Sequence, residues 1–296
     1  MTRKFLPVDL LLFGYLGITT AVAFVRMPAY PRAMGVVAAN SLIGALILLL
    51  IRPTGRGVGS LMREVCPLLL LLALYASLDL LNGGGAAATH DRTVQAWEQG
   101  LFGLQVSREW WKAAPSPGWS SVLHGAYLSY YVLVPLPVAY FAWRRDWTNM
   151  RRTVLLVMAA FLACYLMFIF FPVAGPYYEF ARPDRGFIDN LPARLVYATL
   201  AAGSSFGAAF PSSHVAATAV ATIAALQGAP RLGLGMIAPA ALLTVGVIYT
   251  QMHYAVDVLA GLLVAGVIGV VAWRASLGSR TQHERPSPDL VTSARV

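Results

Sequence analysis

The chain has 296 residues, of which 58% are hydrophobic and 12% are charged, and its formal net charge at pH 7 is +9. Soluble domains carry about 25% charged residues, whereas this chain has repeated apolar runs of 17 or more residues, so its composition excludes a soluble globular protein. The positive charge is spread between the apolar runs, which indicates a membrane protein and argues against nucleic-acid binding.

The apolar runs predict an all-α, polytopic transmembrane helical bundle of about 6–8 spans. We place eight spans at roughly 8–25, 34–51, 65–82, 120–143, 151–173, 212–228, 232–250 and 253–274. No polar segment is long enough to form a core of its own, so residues 1–277 are predicted to be one integral membrane domain. The polar residues 278–296 are predicted to be a disordered cytoplasmic tail.

The distribution of basic residues predicts the orientation of the chain. Assigning the 22 Lys and Arg residues to alternate sides of the membrane gives 14 on the side of both termini and 8 on the other. Cytoplasmic loops are enriched in these residues, so we expect cytoplasmic termini in a plasma membrane of the bacterial type. The first apolar run follows Arg3 and Lys4 but lacks a small-residue cleavage site, which predicts an uncleaved first span.

The long connection after the third span is predicted to contain an interfacial segment at about 90–113. Trp97, Leu101, Leu104 and Trp111 fall at spacings that form one apolar stripe on a helix. Tryptophan is common at the level of the lipid headgroups. Two interpretations stay open: a ledge that guides lipid to an active site, or a connector anchored at the interface.

The fourth span includes four polar aromatic residues in its first half and, after them, two prolines. These residues are His124, Tyr127, Tyr130, Tyr131, Pro135 and Pro137. Such a polar-aromatic face usually packs against neighbouring helices, and the alternative is that it lines a headgroup pocket. The prolines are predicted to kink the helix because they lack a backbone N–H.

A candidate anion site begins at Pro211, just before the sixth span. Proline suits the first turn of a helix, and Ser212 and Ser213 are good cap or first-turn residues. His214 then falls in the opening turn, where unpaired N–H groups and the helix dipole favour an anion. The same residues also make an ordinary helix start, and a single histidine near a membrane interface is often structural.

A second candidate lies before the last span, where His253 and Asp257 are four residues apart. On a helix these residues share a face and can form a hydrogen bond. A phosphate bound at the first segment and a carboxylate-oriented histidine from the second would form a phosphoryl-transfer site. Each segment alone is weak support for catalysis, and the two together are much stronger.

These residues also carry a family resemblance. Pro211-Ser-Ser-His214 followed by His253-Tyr-Ala-Val-Asp257 resembles two motifs of the type 2 phosphatidic acid phosphatase superfamily. The His-Tyr-x-x-Asp form is most similar to its inositol phosphorylceramide synthase and sphingomyelin synthase branch. The resemblance covers mainly residues 170–265, and Arg182 matches the arginine that clamps phosphate in this family.

The resemblance implies a role for each matching residue. His253 would be the nucleophile on phosphorus, Asp257 would orient it, and His214 would act as general acid and then general base. No cofactor or metal is implied. The implied phosphate-binding groups are Arg182, the Ser212 hydroxyl and the backbone N–H groups of Ser213 and His214.

Two cations of the phosphatase pattern are missing from this sequence. The pattern has lysine seven residues before the arginine, where Gly175 stands, and Ser-Arg before the last histidine, where Gly246-Val247 stand. Their absence favours the synthase-like branch over the phosphatases. Cys66 and Cys164 lie in apolar runs and are expected to be small buried residues, without disulfide or metal-ligand spacing.

The sequence therefore predicts a phosphotransferase that moves a phospho-headgroup from a phospholipid donor to the hydroxyl of a lipid or polyol, through a phosphohistidine. Its expected partners are these substrates and the bilayer, with no nucleic acid. The first alternative is a phosphatase acting on phosphatidic acid or a polyprenyl diphosphate. The second is a non-catalytic lipid-binding protein, which the intact His214, His253 and Asp257 disfavour.

Overall fold

The computed structural model describes residues 5–50, 58–85, 87–203 and 205–283, and these ranges contain α-helices and no β-strand. The predicted all-α transmembrane bundle is thereby confirmed. The helices are α1 Pro7–Arg26, α2 Met34–Leu50, α3 Val58–Leu81, α4 Asp91–Phe102, α5 Val106–Ala113, α6 Pro117–Leu128, α7 Tyr130–Leu133, α8 Leu136–Trp143, α9 Trp147–Phe170, α10 Pro176–Glu179, α11 Arg185–Ile188, α12 Leu191–Gly203, α13 Ser213–Gly228, α14 Pro230–Tyr249 and α15 Ala255–His283.

Within the described ranges, seven helical stretches are long and apolar enough to cross a membrane. This protein is therefore an integral membrane protein. The seven stretches are Pro7–Arg26, Pro31–Leu50, Leu61–Leu81, Pro117–Trp143, Trp147–Phe170, Pro230–Tyr249 and Ala255–Arg274.

The sixth predicted span, which is not among these seven stretches, corresponds to α13, a helix of 16 residues that packs between other helices of the bundle. A helix of that length rises about 24 Å, which is less than the roughly 30 Å of a bilayer's hydrocarbon core. It packs against α9, α14 and α15. Its buried positions are mostly alanine, valine and threonine, because helices that surround it leave little room for larger side chains.

Helix α13 runs between the two ends of α9. At one end, a Cβ on Gly228 would stand 2.9 Å from Asn149, in the first turn of α9. At the other end, an isolated parallel bridge joins Val173, just after α9, to Ala208, just before α13. The bridge places the start of α13 beside the end of α9, so the motif that begins at Pro211 is held to the scaffold by backbone hydrogen bonds.

The helix of the fourth predicted span is interrupted twice, and one interruption lies at the first of the two prolines. The stretch from Pro117 to Trp143 is divided into α6, α7 and α8, with breaks at Ser129 and at residues 134–135. Pro135 and Pro137 cannot donate backbone hydrogen bonds to the preceding turn, which explains the second break.

The interfacial segment forms two helices, and the apolar stripe predicted along it is only partly present. Trp97, Leu101 and Leu104 are exposed, at 43%, 64% and 43% of their surface, whereas Trp111 is 5% exposed. The inclusion of Trp111 in the stripe is wrong, because Gly103 ends α4 in a left-handed conformation with φ 73°. Helix α5 therefore begins a new direction and turns Trp111 inward.

The last helix continues to His283, beyond the residue at which we predicted the tail to begin. Residues 284–296 of the predicted tail lie outside the described ranges. Both cysteines are free thiols; Cys164 is buried as expected, and Cys66 is half-buried.

Candidate active site

The first histidine of the candidate site, His214, lies in the first turn of α13, which begins at Ser213. Ser212 is the N-cap, and its side-chain oxygen accepts a hydrogen bond from the backbone N–H of Val215 at 3.4 Å. A serine at this position satisfies one of the unpaired N–H groups of a helix start. The prediction that Pro211 occupies the first turn is wrong, because it precedes the N-cap.

His253 and Asp257 lie at the start of α15. Nδ1 of His253 is 3.3 Å from Oδ2 of Asp257, and the same oxygen accepts the backbone N–H of Tyr254 at 2.9 Å. The helix begins at Ala255, so His253 precedes it and the two residues do not share a helical face as predicted. Asp257 instead reaches back over the helix start, like the third residue of a capping box, and so meets His253.

A backbone hydrogen bond joins the two histidine-bearing segments. The N–H of Ser212 donates to the carbonyl of Asp257 at 2.9 Å. Gly261 permits this approach, since a Cβ there would stand 2.6 Å from the Ser212 carbonyl oxygen. The ring centroids of His214 and His253 consequently lie 5.7 Å apart. The structure thus brings together side chains that are distant in the sequence.

The ring of His214 is enclosed by two tyrosines. The Tyr127 hydroxyl lies 3.2 Å from Nε2 of His214, and the Tyr130 ring centroid lies 4.5 Å from that of the histidine. Nδ1 of His214 is buried and has no hydrogen-bond partner in the described part of the chain. Within the described residues, the protein therefore contacts Nε2 and leaves the buried Nδ1 without a partner. Sequence analysis placed Tyr127 on a polar-aromatic face and did not connect it with His214.

His253 is buried, which favours the uncharged form of its ring. Burial lowers the pKa of His253 from 6.5 to about 4, and a hydrogen bond to the backbone of Ala209 acts in the opposite direction. A neutral imidazole has one nitrogen with a free lone pair. Nδ1 faces Asp257, and an Nδ1–H that donates to this carboxylate leaves the free lone pair on Nε2.

Arg182 lies on an exposed loop, and the structure does not bring its guanidinium into contact with either histidine. The guanidinium donates a hydrogen bond to the Tyr177 hydroxyl at 3.0 Å and lies over the rings of Tyr177 and Tyr197, at 5.1 and 5.7 Å. Both tyrosines pack in the same apolar cluster as Tyr127. Arg182 therefore covers the aromatic layer that adjoins His214.

Gly175 and Val247 stand where the phosphatase pattern has cations, and both positions are buried. Gly175 has φ +94°, and a Cβ would lie 2.9 Å from that of Ala209. Val247 is fully buried, and its carbonyl accepts the backbone N–H of His253 at 2.9 Å. At both positions the backbone, rather than a side chain, contributes to the site.

Sequence analysis assigned no role to two buried carboxylates of α4. Asp91 is 2% exposed and Glu98 is 0% exposed. Both bind backbone N–H groups next to the site: Asp91 binds that of Gly175 at 2.8 Å, and Glu98 binds that of Val256 at 3.4 Å. Their spacing of seven residues, two helical turns, is the signal that could have identified a shared face.

A family model described as the PAP2 superfamily matches residues 93–271, more than half of the chain. The chain belongs to the PAP2 superfamily. No curated protein and no solved structure matches it. The match runs from α4 into α15 and includes both histidines of this PAP2 protein, whereas α1, α2 and α3 lie before it. The superfamily expected from the motifs is confirmed, and the branch within it stays a proposal.

Proposed function

We propose that this PAP2 protein is a membrane phosphotransferase that moves a phospho-headgroup from a phospholipid to the hydroxyl of a lipid or polyol. The observation that supports this most strongly is the meeting of His214 with the His253–Asp257 pair at two adjacent helix starts. Helix N-termini attract anions, and a neutral histidine beside them is placed to attack phosphorus.

In the first step, Nε2 of His253 attacks the phosphorus of the donor phosphodiester. A P–N bond forms while the P–O bond to the lipid alcohol breaks, and the imidazolium form of His214 gives its proton to the departing oxygen. Asp257 stabilises the charge that develops on the His253 ring. The product is a phosphohistidine that carries the headgroup.

In the second step, the acceptor hydroxyl donates its proton to His214 and attacks the phosphohistidine. The P–N bond breaks, and the headgroup is attached to the acceptor. Water in place of the acceptor hydrolyses the phosphohistidine. With a phosphomonoester donor the same two steps release inorganic phosphate, and this reaction is the phosphatase alternative. The Ser212 hydroxyl and the N–H groups of Ser213 and His214 bind the phosphoryl oxygens.

In this proposal, Arg182, which lies over the rings of Tyr177 and Tyr197, supplies positive charge for the phosphodiester. An open cavity of about 540 Å³ lies beside it, between Tyr177, Tyr178 and the end of α12. Its volume is in the range of small-molecule sites, so a lipid headgroup fits there. With Gly175 and Val247 uncharged, the site suits a phosphodiester, which carries one negative charge, better than a doubly charged monoester.

We expect the purified protein to transfer a phospho-headgroup faster than it releases phosphate from phosphatidic acid, and to do so in EDTA. Activity is expected in EDTA because every group used in the proposed steps belongs to the protein chain itself. The measurement is incubation with labelled phospholipids, with and without ceramide, diacylglycerol or inositol as the acceptor.

The His253→Ala protein is the control for contaminating activity in that assay. Rapid phosphate release from phosphatidic acid or a polyprenyl diphosphate, without transfer to any acceptor, would support the phosphatase alternative and contradict ours.

We further propose that both termini are cytoplasmic and that the site opens on the extracytoplasmic side, because of the distribution of basic residues. In a background without Cys66 and Cys164, we expect Asp184→Cys to react with an impermeant thiol reagent applied to intact cells. Thr148→Cys lies in the first turn of α9, which we place on the cytoplasmic side, and it should react only after lysis. Both native residues are exposed. Labelling of Thr148→Cys in intact cells would contradict the proposed orientation.

A further inference from the structure

Helix α4 buries two carboxylates and exposes two large apolar side chains. The carboxylates of Asp91 and Glu98 are buried, while Trp97 and Leu101 are exposed. A soluble amphipathic helix has the reverse arrangement. Burying two carboxylates is costly unless they are hydrogen-bonded, so their contacts indicate what this face of α4 does.

Asp91 accepts three hydrogen bonds. Oδ1 accepts the backbone N–H of Gly175 at 2.8 Å and the hydroxyl of Tyr254 at 3.0 Å, and Oδ2 accepts the backbone N–H of Ala174 at 2.8 Å. Ala174 and Gly175 follow the bridge residue Val173, whose partner Ala208 leads into α13. Asp91 therefore holds the segment that supports the start of α13.

Tyr254 connects Asp91 to the second histidine. It is the residue after His253, its ring is fully buried, and its backbone N–H donates to Oδ2 of Asp257 at 2.9 Å. Its hydroxyl also accepts a hydrogen bond from Gln95, one turn along α4, at 2.9 Å. A displacement of the Tyr254 ring would therefore move the backbone that carries His253 and the carboxylate that orients it.

These contacts form a closed ring of hydrogen-bonded segments around the site. From Asp91 the ring runs through residues 173–175 to Ala208, along the chain to Ser212, across to Asp257, and through Tyr254 back to Asp91. His214 and His253 lie on the two segments that the ring joins. The distance between the histidines consequently depends on the hydroxyl bond that completes it.

We propose that Asp91 and Tyr254 are positioning residues that set the distance of His253 from the bound phosphate, an inference that rests on the proposed function. Neither residue touches the reacting atoms. Their effect is on rate, since a displacement of about 1 Å at a reacting group costs on the order of 100-fold. They should affect the chemical step more than substrate binding.

Tyr254→Phe removes the hydroxyl and little else. We expect the rate of phosphohistidine formation and kcat to fall by about 10- to 100-fold, with KM changed by less than about 3-fold. Tyr249→Phe is the matched control, because the Tyr249 hydroxyl binds the carbonyl of Ala114, outside this ring, at 2.7 Å. It should retain the wild-type rate.

A double-substitution test separates positioning from a general loss of stability. In a background of Asp91→Asn, Tyr254→Phe should lower the rate by less than about 3-fold, because the bond that it removes is already impaired. An unchanged rate in Tyr254→Phe, an equal loss in Tyr249→Phe, or the same loss in both backgrounds would overturn the proposal.

Phosphohistidine formation is common to transfer and hydrolysis, so this test does not depend on the acceptor. A wild-type protein that forms the intermediate and passes it only to water contradicts the transferase assignment and leaves the positioning test valid. A wild-type protein that forms no intermediate overturns both proposals.

Discussion

Replacing His253 by alanine is expected to abolish the phosphohistidine and to lower turnover by more than about 10⁴-fold. The imidazole of His253 is the only protein group that bonds to phosphorus in the proposed mechanism. The protein should remain folded, since the segment around His253 keeps its backbone hydrogen bond from Tyr254 to Asp257 and that from Ser212. The measurement is acid-quenched trapping of labelled protein from a labelled phospholipid.

Two further variants make this result specific. His90→Ala is a matched control, because the exposed His90 ring stacks on Phe171 and lies on neither histidine-bearing segment; it should retain activity. Asp257→Asn should be strongly impaired but not inactive, because the nucleophile is present without its proper orientation. Retention of the trapped label in His253→Ala, together with its loss in His214→Ala, would reverse the assignment of the nucleophile.

Replacing His214 by alanine is expected to lower turnover of a phospholipid by about 10²- to 10⁴-fold, the usual contribution of a general acid–base group. The defect should depend on the leaving group. With a p-nitrophenyl phosphodiester, whose leaving group needs no proton, phosphohistidine should form at close to the wild-type rate. The intermediate should then persist, because no base activates the acceptor hydroxyl.

The comparison of the two donors is measured by rapid quenching of the His214→Ala protein, with wild type in parallel. An equal loss with both donors would contradict a proton-transfer role and would leave His214 as a residue that only shapes the site. Folding is checked by elution from a sizing column in detergent. The contact with Tyr127 is lost in this variant, so that control is necessary.

The sequence was sufficient to predict the helical bundle and the start of α13. Membrane-spanning helices need long apolar runs whatever surrounds them, and seven of the eight predicted spans correspond to helices that meet this condition. Ser212 also caps its helix through a contact three residues away. Local contacts of this kind depend on neighbouring residues and are therefore readable from the sequence.

Other features required the packed structure. The burial of the α4 carboxylates could not be predicted from the sequence. An amphipathic helix turns its apolar side chains toward lipid at a membrane surface and toward the protein core in water, and the sequence does not say which surroundings α4 has. Trp111 was misplaced because a glycine with positive φ ends α4 early. Asp91 had no assigned role, since its partners Gly175 and Tyr254 are far from it in the sequence.

By itself, the sequence determined which chemical groups the candidate site has: two of the five histidines, a carboxylate and an arginine, on segments whose motifs identify the superfamily. Only the tertiary structure decided how they meet: His253 beside His214, Arg182 apart from both, and Gly175 in a conformation that excludes a lysine. The physical reason is that residue types are set along the chain, whereas distances, free nitrogen atoms and positive φ angles arise from hydrogen bonds between segments that only folding brings together.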